Sequence, residues 1–393
     1  MTPTLADTLS VLLPSADETV LLTACLASGE RARAAWTRWR ERQGPGDEAL
    51  RHALVARRAL LPLLSASASA NDLDAGRGLL PYLRGAALRE ELRATRFRQL
   101  AAEILTQLQR DGTTPWLVRG AALAAVAYPA WGLRHCHDLD LLVVPEALER
   151  AVGTLVRAGA AALAPSPWAP GTVLLRHPSA LQVALHTRPF AVRYYDAPVA
   201  HFTRDDATID LDGVGVRTPS RAASMVHVLG HATYSPSRHN LRWVADAWHL
   251  AACRPGLDWE EVAARVDAYR LTLPVFVLLR YLAALGVPVP SEPLARLAAG
   301  AARAGRVVEE VALGGAHAAA RGNLRSLWQA TVSWRGRARL ARWVAAPSPA
   351  YMRSAYAVPS AWVLPLRYLH RPARAVAGKL RRAPAASPAG DDA

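Results

Sequence analysis

The 393-residue chain is poor in cysteine and almost free of lysine, and both shortages limit what it can be. Its three cysteines, Cys25, Cys136 and Cys253, are widely spaced and form no Cys-x-x-Cys pair. They indicate neither a disulfide framework nor a zinc site. Cys136 lies beside an acidic pair, and we interpret it as a packed thiol rather than a nucleophile.

Lys379 is the only lysine, so nearly all of the formal net charge of +15 comes from arginine. Arginine suits bidentate contacts with phosphate groups, which is one interpretation of this charge. The alternative is that heavy use of arginine and alanine reflects genome base composition. Net charge informs on partners and solubility rather than on fold, so composition leaves both interpretations open.

The sequence also lacks a long apolar run and a basic leader segment. No stretch of about 18 apolar residues is free of charge and proline, and residues 273–290 come closest. Residues 1–18 carry Asp7, Asp17 and Glu18 but no basic n-region, which argues against a signal peptide. We therefore expect a cytoplasmic protein.

What is present is a globular composition, with 51% hydrophobic and 20% charged residues, and a length that favours two or three domains. Apolar residues at helical spacing predict helices over 18–28, 31–42, 48–64, 86–110, 222–234, 241–253, 259–269 and 274–285. Three further helices are expected over 291–345. The small, polar stretch 65–75 is interpreted as a loop.

From residue 113 to about 215 the pattern changes to short apolar runs that alternate with short helices. Strands are predicted over 115–118, 138–144, 172–176 and 181–186, with helices over 121–127 and 146–158. This mixture indicates a strand-containing core between helical flanks. The predicted regions are helical over 1–112, the core over 113–215, helical over 216–345, a basic aromatic segment over 346–382 and a disordered tail over 383–393.

The most informative motif is the pair Asp138 and Asp140 on an apolar strand. Strand side chains alternate with a period of two, so both carboxylates project from one face. Two such charges repel each other unless a cation lies between them, and Mg²⁺ is a hard ion that takes oxygen ligands. The alternative, a solvated edge strand, is disfavoured because aspartate is poor in strands and the neighbours here are apolar.

An ordered set of motifs resembles the uncharacterised nucleotidyltransferase family of the DNA polymerase β-like superfamily. The motifs are Val-Arg-Gly-Ala-Ala at 118–122, Gly-Leu-Arg at 132–134, Asp-Leu-Asp at 138–140, Leu-His at 185–186, His231, Leu-Arg-Trp at 241–243 with Asp246, and Leu-Asp-Trp at 257–259. Residues 347–351 and 364–372 resemble the C-terminal region of members encoded beside bacterial biosynthetic genes. The resemblance implies an α+β fold, with a small mixed sheet of polymerase-β type flanked by N- and C-terminal helical regions.

The resemblance implies Mg²⁺-dependent transfer of a nucleoside monophosphate from a nucleoside triphosphate, with ATP expected, to a small-molecule, peptide or protein acceptor. Asp138 and Asp140 would hold the metal, and His186 could serve as an acceptor-side base. The groups expected to bind phosphate, by backbone N–H groups or by charge, are Arg119, Gly120, Ala121, Arg134 and Arg242. No module for specific nucleic-acid binding is present in the sequence.

One departure from the family pattern leaves a second function open. The third carboxylate is expected two residues before His186, where this chain has Ala184. That carboxylate would complete a two-metal clamp. The alternative function is therefore a catalytically weakened nucleotide-binding or scaffold protein of a biosynthetic pathway.

Three further patterns each allow a structural interpretation. Arg242 and Asp246 are four residues apart and could pair on one helix face instead of lining a cleft. His227 and His231 share that spacing, but no acidic residue lies between them as in a zincin motif, so zinc is disfavoured. The basic aromatic segment 346–382 either closes the domain or makes peripheral contact with an anionic membrane.

Overall fold

The computed structural model describes residues 12–44, 46–163, 171–191, 195–233, 241–253, 256–302 and 361–370, with isolated positions between 334 and 352. A seven-stranded mixed sheet forms the core, and helices precede and follow it along the chain. The predicted α+β fold with helical flanks is therefore confirmed.

The strands are β1 Trp116–Leu117, β2 Asp138–Leu142, β3 Ala161–Ala162, β4 Thr172–Arg176, β5 Gln182–His186, β6 Ala207–Leu211 and β7 Val214–Thr218. Their spatial order is β3-β4-β5-β2-β1-β7-β6. β2 pairs in parallel with β5, and β1 in parallel with β7, while the other neighbours are antiparallel.

The N-terminal helices are α1 Ala16–Leu26, α2 Gly29–Gln43, α3 Asp47–Val55, α4 Leu61–Ala70 and α5 Gly76–Arg110. Between the strands lie α6 Arg119–Val126, α7 Leu148–Arg157 and the short α8 Val199–Phe202. The helices after the sheet are α9 Arg221–Ala232, α10 Arg242–Ala252, α11 Trp259–Ala268, α12 Thr272–Leu285 and α13 Ser291–Ala302.

The helices that precede the sheet along the chain and the helices that follow it share one hydrophobic cluster. Leu21 and Trp36 from the N-terminal region pack in the same cluster as Val244 and Leu278 from the C-terminal region. Such burial contributes about 2 kcal/mol for each large apolar side chain. The N- and C-terminal helical regions therefore stabilise each other rather than forming separate cores.

A second cluster lies under the sheet and fixes the direction of the acidic strand. Leu139 and Leu141 of β2 are fully buried in this cluster, which also contains Ile104 of α5. Because strand side chains alternate, Asp138 and Asp140 project from the opposite face. The apolar residues between the two aspartates thus hold both carboxylates on the same side.

The register of the sheet places the neighbours of this acidic pair. Asp140 on β2 lies opposite Ala184 on β5, and Leu142 lies opposite His186. Residues aligned in this way on paired strands project from the same face of the sheet. The strand that carries Ala184 and His186 is therefore next to the aspartates, as the sequence motif predicts.

Two predictions in the N-terminal region were wrong. Residues 48–64 do not form one helix, since α3 ends at Val55 and a 3₁₀ turn over Arg58–Leu60 precedes α4. Residues 65–70, predicted as loop, belong to α4, where Ser67 is buried and donates its hydroxyl to the carbonyl of Ala24 (2.6 Å). The small side chains that resemble a loop in sequence serve close helix packing here.

The sheet is also larger than predicted. Strands β6 and β7 were not predicted individually, and β7 extends past residue 215, where we placed the end of the core. Asp212 and Gly213 join them with positive φ values of 50° and 85°, as a two-residue hairpin turn requires. The helix predicted over 86–110 begins at Gly76.

Most of the C-terminal predictions lie outside the described residues. Of the three helices expected over 291–345, the structure describes α13, and of the segment 346–382 chiefly residues 361–370. There Trp362 is 91% exposed. None of the described helices has both the length and the apolar character needed to cross a membrane.

Candidate functional site

The candidate site begins at the turn between β1 and α6. The backbone N–H of Val118 donates to the carbonyl of Asp140 (3.1 Å), which ties the end of β1 to the acidic strand. Arg119 then reverses the chain with φ +58°, an uncommon left-handed conformation for a residue with a side chain. Because of this one-residue turn, α6 begins beside Asp140.

The first turn of α6 has backbone N–H groups that no side chain caps. Helix N-termini leave their first N–H groups without an intrahelical acceptor, and no side-chain cap bond forms at Val118. Gly120 presents no side chain there; a Cβ at this position would lie 3.5 Å from Arg134 Nη1. Such an end is suited to an anionic group such as a phosphate.

Asp140 is held by two partners on one carboxylate oxygen. Its Oδ1 accepts from Arg119 Nη1 (2.9 Å) and lies 2.6 Å from His186 Nε2. His186 Nδ1 is 2.9 Å from the hydroxyl of Thr172. A chain in which Thr172 donates to Nδ1 and Nε2–H donates to Asp140 satisfies every atom with a neutral imidazole.

These contacts shift the pKa values of the two aspartates in opposite directions. Burial alone would raise the pKa of Asp140, but the charge of Arg119 and the hydrogen bond from His186 hold it well below its usual range. For Asp138, burial and the charge of Asp140 raise the pKa to about 6. Asp140 is therefore compensated within the protein, whereas Asp138 carries the unfavourable charge of the pair.

Among the residues that the structure describes, no third carboxylate completes the pair. Ala184 occupies the position on β5 directly opposite Asp140. Among the described residues, no cluster of three or more His, Cys, Asp or Glu side chains is suited to hold a metal. The donors are too few for a resident structural metal.

The same donors do fit Mg²⁺ that arrives with a triphosphate. Mg²⁺ is commonly bound by one or two carboxylates, with waters and substrate phosphates completing its shell. Asp140 Oδ2 receives no donor from the described residues, and Asp138 is 30% exposed, with His137 Nδ1 3.4 Å from its Oδ1. Asp138 and Asp140 are thus the residues that could hold the ion.

A buried ion pair stabilises the part of the protein next to the aspartates. Arg134 donates from Nε and Nη2 to the two carboxylate oxygens of Asp246 (2.7 and 3.0 Å), which lies 112 residues away on α10. Tyr128 donates its hydroxyl to the same carboxylate (2.7 Å). Removing one partner of such a buried pair typically costs about 3–5 kcal/mol. Arg134 is therefore held firmly, with its guanidinium against Gly120.

These residues surround a cavity of about 280 Å³, called the site cavity below. Its lining includes Arg119, Gly120, Arg134, Asp138, Asp140 and Arg242. Apolar side chains also line it, including Leu123, Val228 and Trp243. A pocket that combines apolar lining with a few polar groups is typical of small-molecule sites.

Six of the eight predicted site residues therefore meet on one cavity. The other two, Ala121 and His186, do not line it: Ala121 is packed in the cluster under the sheet. His186 is buried with both ring nitrogens engaged. Its predicted role as a base that reaches the acceptor stays a prediction without support from this geometry.

Sequence reasoning missed His135 and His137, which lie on the cavity wall with parallel rings 5.8 Å apart. Burial and the charge of Arg242 lower the pKa of His137 to about 4, so it is neutral at physiological pH. The sequence signal that could have identified His135 and His137 is their position immediately before the acidic pair.

Two pairs of residues four apart in sequence, His227 with His231 and Arg242 with Asp246, were each given a structural alternative above. His227 packs edge-on between Phe190 and Phe202 (5.5 and 5.2 Å), and burial lowers its pKa to about 3. It is a neutral core histidine on the cavity wall, as a non-metal interpretation predicts. Asp246 accepts hydrogen bonds from Arg134 on both carboxylate oxygens, so it serves the wall of the site rather than a surface helix pair.

Comparison with family models places the site in a matched region of the chain. The model for an uncharacterised nucleotidyltransferase family matches residues 47–286, which include every residue of the site cavity. Comparison with curated proteins finds no match.

The partly buried His249, which interacts with Asp246, predicts acid sensitivity. His249 lies against Tyr128 (ring centroids 4.2 Å apart), and burial lowers its pKa from 6.5 to about 4. The unfolded chain binds the proton first, so stability is present above pH 6.5 and is lost as pH falls towards 4. This loss should reach about 3 kcal/mol.

We therefore expect urea unfolding of His249→Gln to show a smaller fall in the free energy of unfolding between pH 6.5 and 4 than the native protein shows. His52→Gln, at an exposed position on α3, is the matched control and should keep the native pH dependence. An unchanged pH dependence in His249→Gln would contradict the assignment.

Proposed function

The chain belongs to the uncharacterised nucleotidyltransferase family, and we propose that it transfers a nucleoside monophosphate from a Mg²⁺-bound nucleoside triphosphate, with ATP expected, to a biosynthetic intermediate or a protein acceptor. The observation that carries the proposal is the contrast between the two aspartates. Asp140 is fixed and compensated, while Asp138 is strained by charge and faces the cavity beside the uncapped start of α6.

Each side chain has a definable task in this reaction. The N–H groups at the start of α6 bind the phosphates, and Arg242 adds positive charge across the cavity. Asp138 and Asp140 would hold Mg²⁺, which would neutralise charge on the triphosphate and on the departing pyrophosphate. The apolar wall with Leu123 and Trp243 is where a base or ribose would pack.

His186 and Arg119 act through Asp140 rather than on the substrate. Together they orient one oxygen of that carboxylate and leave the other available. His186 is therefore proposed as a positioning residue. The acceptor hydroxyl would lose its proton to solvent or to a group of the acceptor, and its oxygen would form a bond to the α-phosphorus as the bond to pyrophosphate breaks.

The second candidate function is nucleotide binding without efficient transfer. Ala184 favours it, because the position opposite Asp140 offers no donor for a second metal. Both functions need the Asp138–Asp140 pair for nucleotide binding, and turnover separates them.

The first test is transfer of label from each α-³²P-labelled nucleoside triphosphate with Mg²⁺ and candidate acceptors. Asp138→Asn/Asp140→Asn should lower the rate by on the order of 100-fold or more, because charge stabilisation of the phosphoryl group is lost. The control Asp196→Asn, an exposed carboxylate that only approaches Arg270 at 3.7 Å, should retain native activity.

Unchanged transfer in Asp138→Asn/Asp140→Asn would refute the proposed site. Tight nucleotide binding without transfer to any acceptor tested would favour the second function.

Restoring a carboxylate at position 184 tests the role of the missing third ligand. Ala184→Asp places a third negative charge beside Asp140 in a buried setting, so without metal the melting temperature should fall by several degrees. Mg²⁺ should restore most of that loss, and transfer should rise. The isosteric control Ala184→Asn should show no Mg²⁺-dependent recovery.

If the melting temperature of Ala184→Asp is the same with and without Mg²⁺, position 184 does not face the metal-binding carboxylates. Thermal scans with Mg²⁺ and with EDTA measure the difference directly.

A further inference from the structure

A second cavity, of about 580 Å³, adjoins the site cavity and is called the arginine cavity. Its lining includes the segment from Ala56 to Pro62 and four residues of α5, Ala86, Arg89, Glu90 and Arg93. His135, His137 and Arg242 line both cavities, so the two share a wall. A molecule in the arginine cavity would therefore lie next to the proposed nucleotide.

The arginine cavity is strongly positive. Its wall contains five arginines, namely Arg57, Arg58, Arg89, Arg93 and Arg242. The single acidic residue, Glu90, is directed to His135, with Oε1 2.8 Å from Nδ1. Arginine carries a permanent charge and a fork of donors that matches phosphate oxygens.

Three of the five arginines have no acidic partner among the described residues. In the part of the chain that the structure describes, no ion pair involves Arg58, Arg89 or Arg93. Arg57 lies 3.8 Å from Asp17. What distinguishes these arginines from others in the chain is that they line one cavity.

The arrangement of these arginines converges on a single space. Arg89 and Arg93 are one helical turn apart on α5, so their side chains project from the same face. Arg58 begins the 3₁₀ turn whose residues also line the cavity. Arg58, Arg89 and Arg93 are exposed, and Leu60, Pro62 and Ala86 add an apolar lining beside them.

We propose that the arginine cavity is the acceptor subsite of the proposed transferase and that it recognises an acceptor through a phosphate group. This inference rests on the proposed function for its placement beside the nucleotide. The triphosphate itself is a less suitable occupant, because the wall includes neither Gly120 nor Asp138 nor Asp140. The volume suits a small molecule or the end of a peptide.

Calorimetry with inorganic phosphate as the probe tests the proposal on the full chain. The native protein should bind phosphate, and Arg89→Gln/Arg93→Gln should bind it at least about tenfold more weakly, because two charge-assisted contacts are lost. Glutamine is a good helix former, so α5 should be retained in this variant. A matching melting temperature confirms that the variant is folded.

The matched control removes the same charge from the same helix. Arg84→Gln/Arg96→Gln changes two exposed α5 arginines that lie outside the cavity, and its phosphate affinity should stay within about twofold of native. Equal weakening in both double variants would overturn the proposal, because it would reveal a general charge effect. Failure of the native chain to bind phosphate would overturn it as well.

A second titration identifies the source of the phosphate and separates this inference from the proposed function. α,β-Methylene-ATP with Mg²⁺ should bind native protein and Arg89→Gln/Arg93→Gln equally, and phosphate should still bind when the analogue is saturating. Weaker analogue binding in that variant, or exclusion of phosphate by the analogue, would assign the cavity to the triphosphate and overturn the acceptor subsite. No analogue binding to native protein would instead contradict the proposed function.

Discussion

The carboxylate of Asp140 is fixed by Arg119 and His186, and the geometry of the site depends on that three-residue contact. Arg119 can reach Asp140 because the chain turns sharply between β1 and α6, with the positive φ that this turn demands. His186 can reach it because β5 lies parallel to β2 in a register that sets Leu142 opposite His186. A change in the turn between β1 and α6, or in the pairing of β5 with β2, would separate Asp140 from its partner.

This contact explains why the two aspartates differ. A cation and a hydrogen-bond donor from the protein compensate Asp140, so the repulsion within the pair falls on Asp138. A site with three carboxylates has a much greater need for metal. Here Ala184 lowers that need, and Arg119 provides part of the positive charge. We infer a site that takes Mg²⁺ together with nucleotide rather than beforehand.

The parts of the site that can be predicted from the sequence depend on local contacts. The parts that cannot be predicted depend on contacts between residues far apart in the chain. Alternation along β2 is local, so the shared face of Asp138 and Asp140 and the burial of Leu139 follow from sequence. The pairing of Arg134 with Asp246 joins residues far apart in the chain, and nothing local encodes it. The arginine cavity likewise assembles residues 56–62, α5 and the start of α10, which lie far apart in the sequence.

Local patterns also misled where packing overrides propensity. Serines and alanines over 65–70 are typical of a loop, yet their small size lets α4 pack closely against α1. The β6–β7 hairpin was also missed, although the sequence carried its signals. Ala207, Ile209 and Leu211 alternate with Thr208 and Asp210 along β6, and the Asp212-Gly213 turn follows.

The central claim is that metal and nucleotide bind together at Asp138 and Asp140. Calorimetry of α,β-methylene-ATP in the presence of Mg²⁺ and in the presence of EDTA tests it most directly. The account predicts that Mg²⁺ increases the affinity of the native protein at least about tenfold and has no such effect in Asp138→Asn/Asp140→Asn. Equal affinity of the native protein in Mg²⁺ and in EDTA would contradict it.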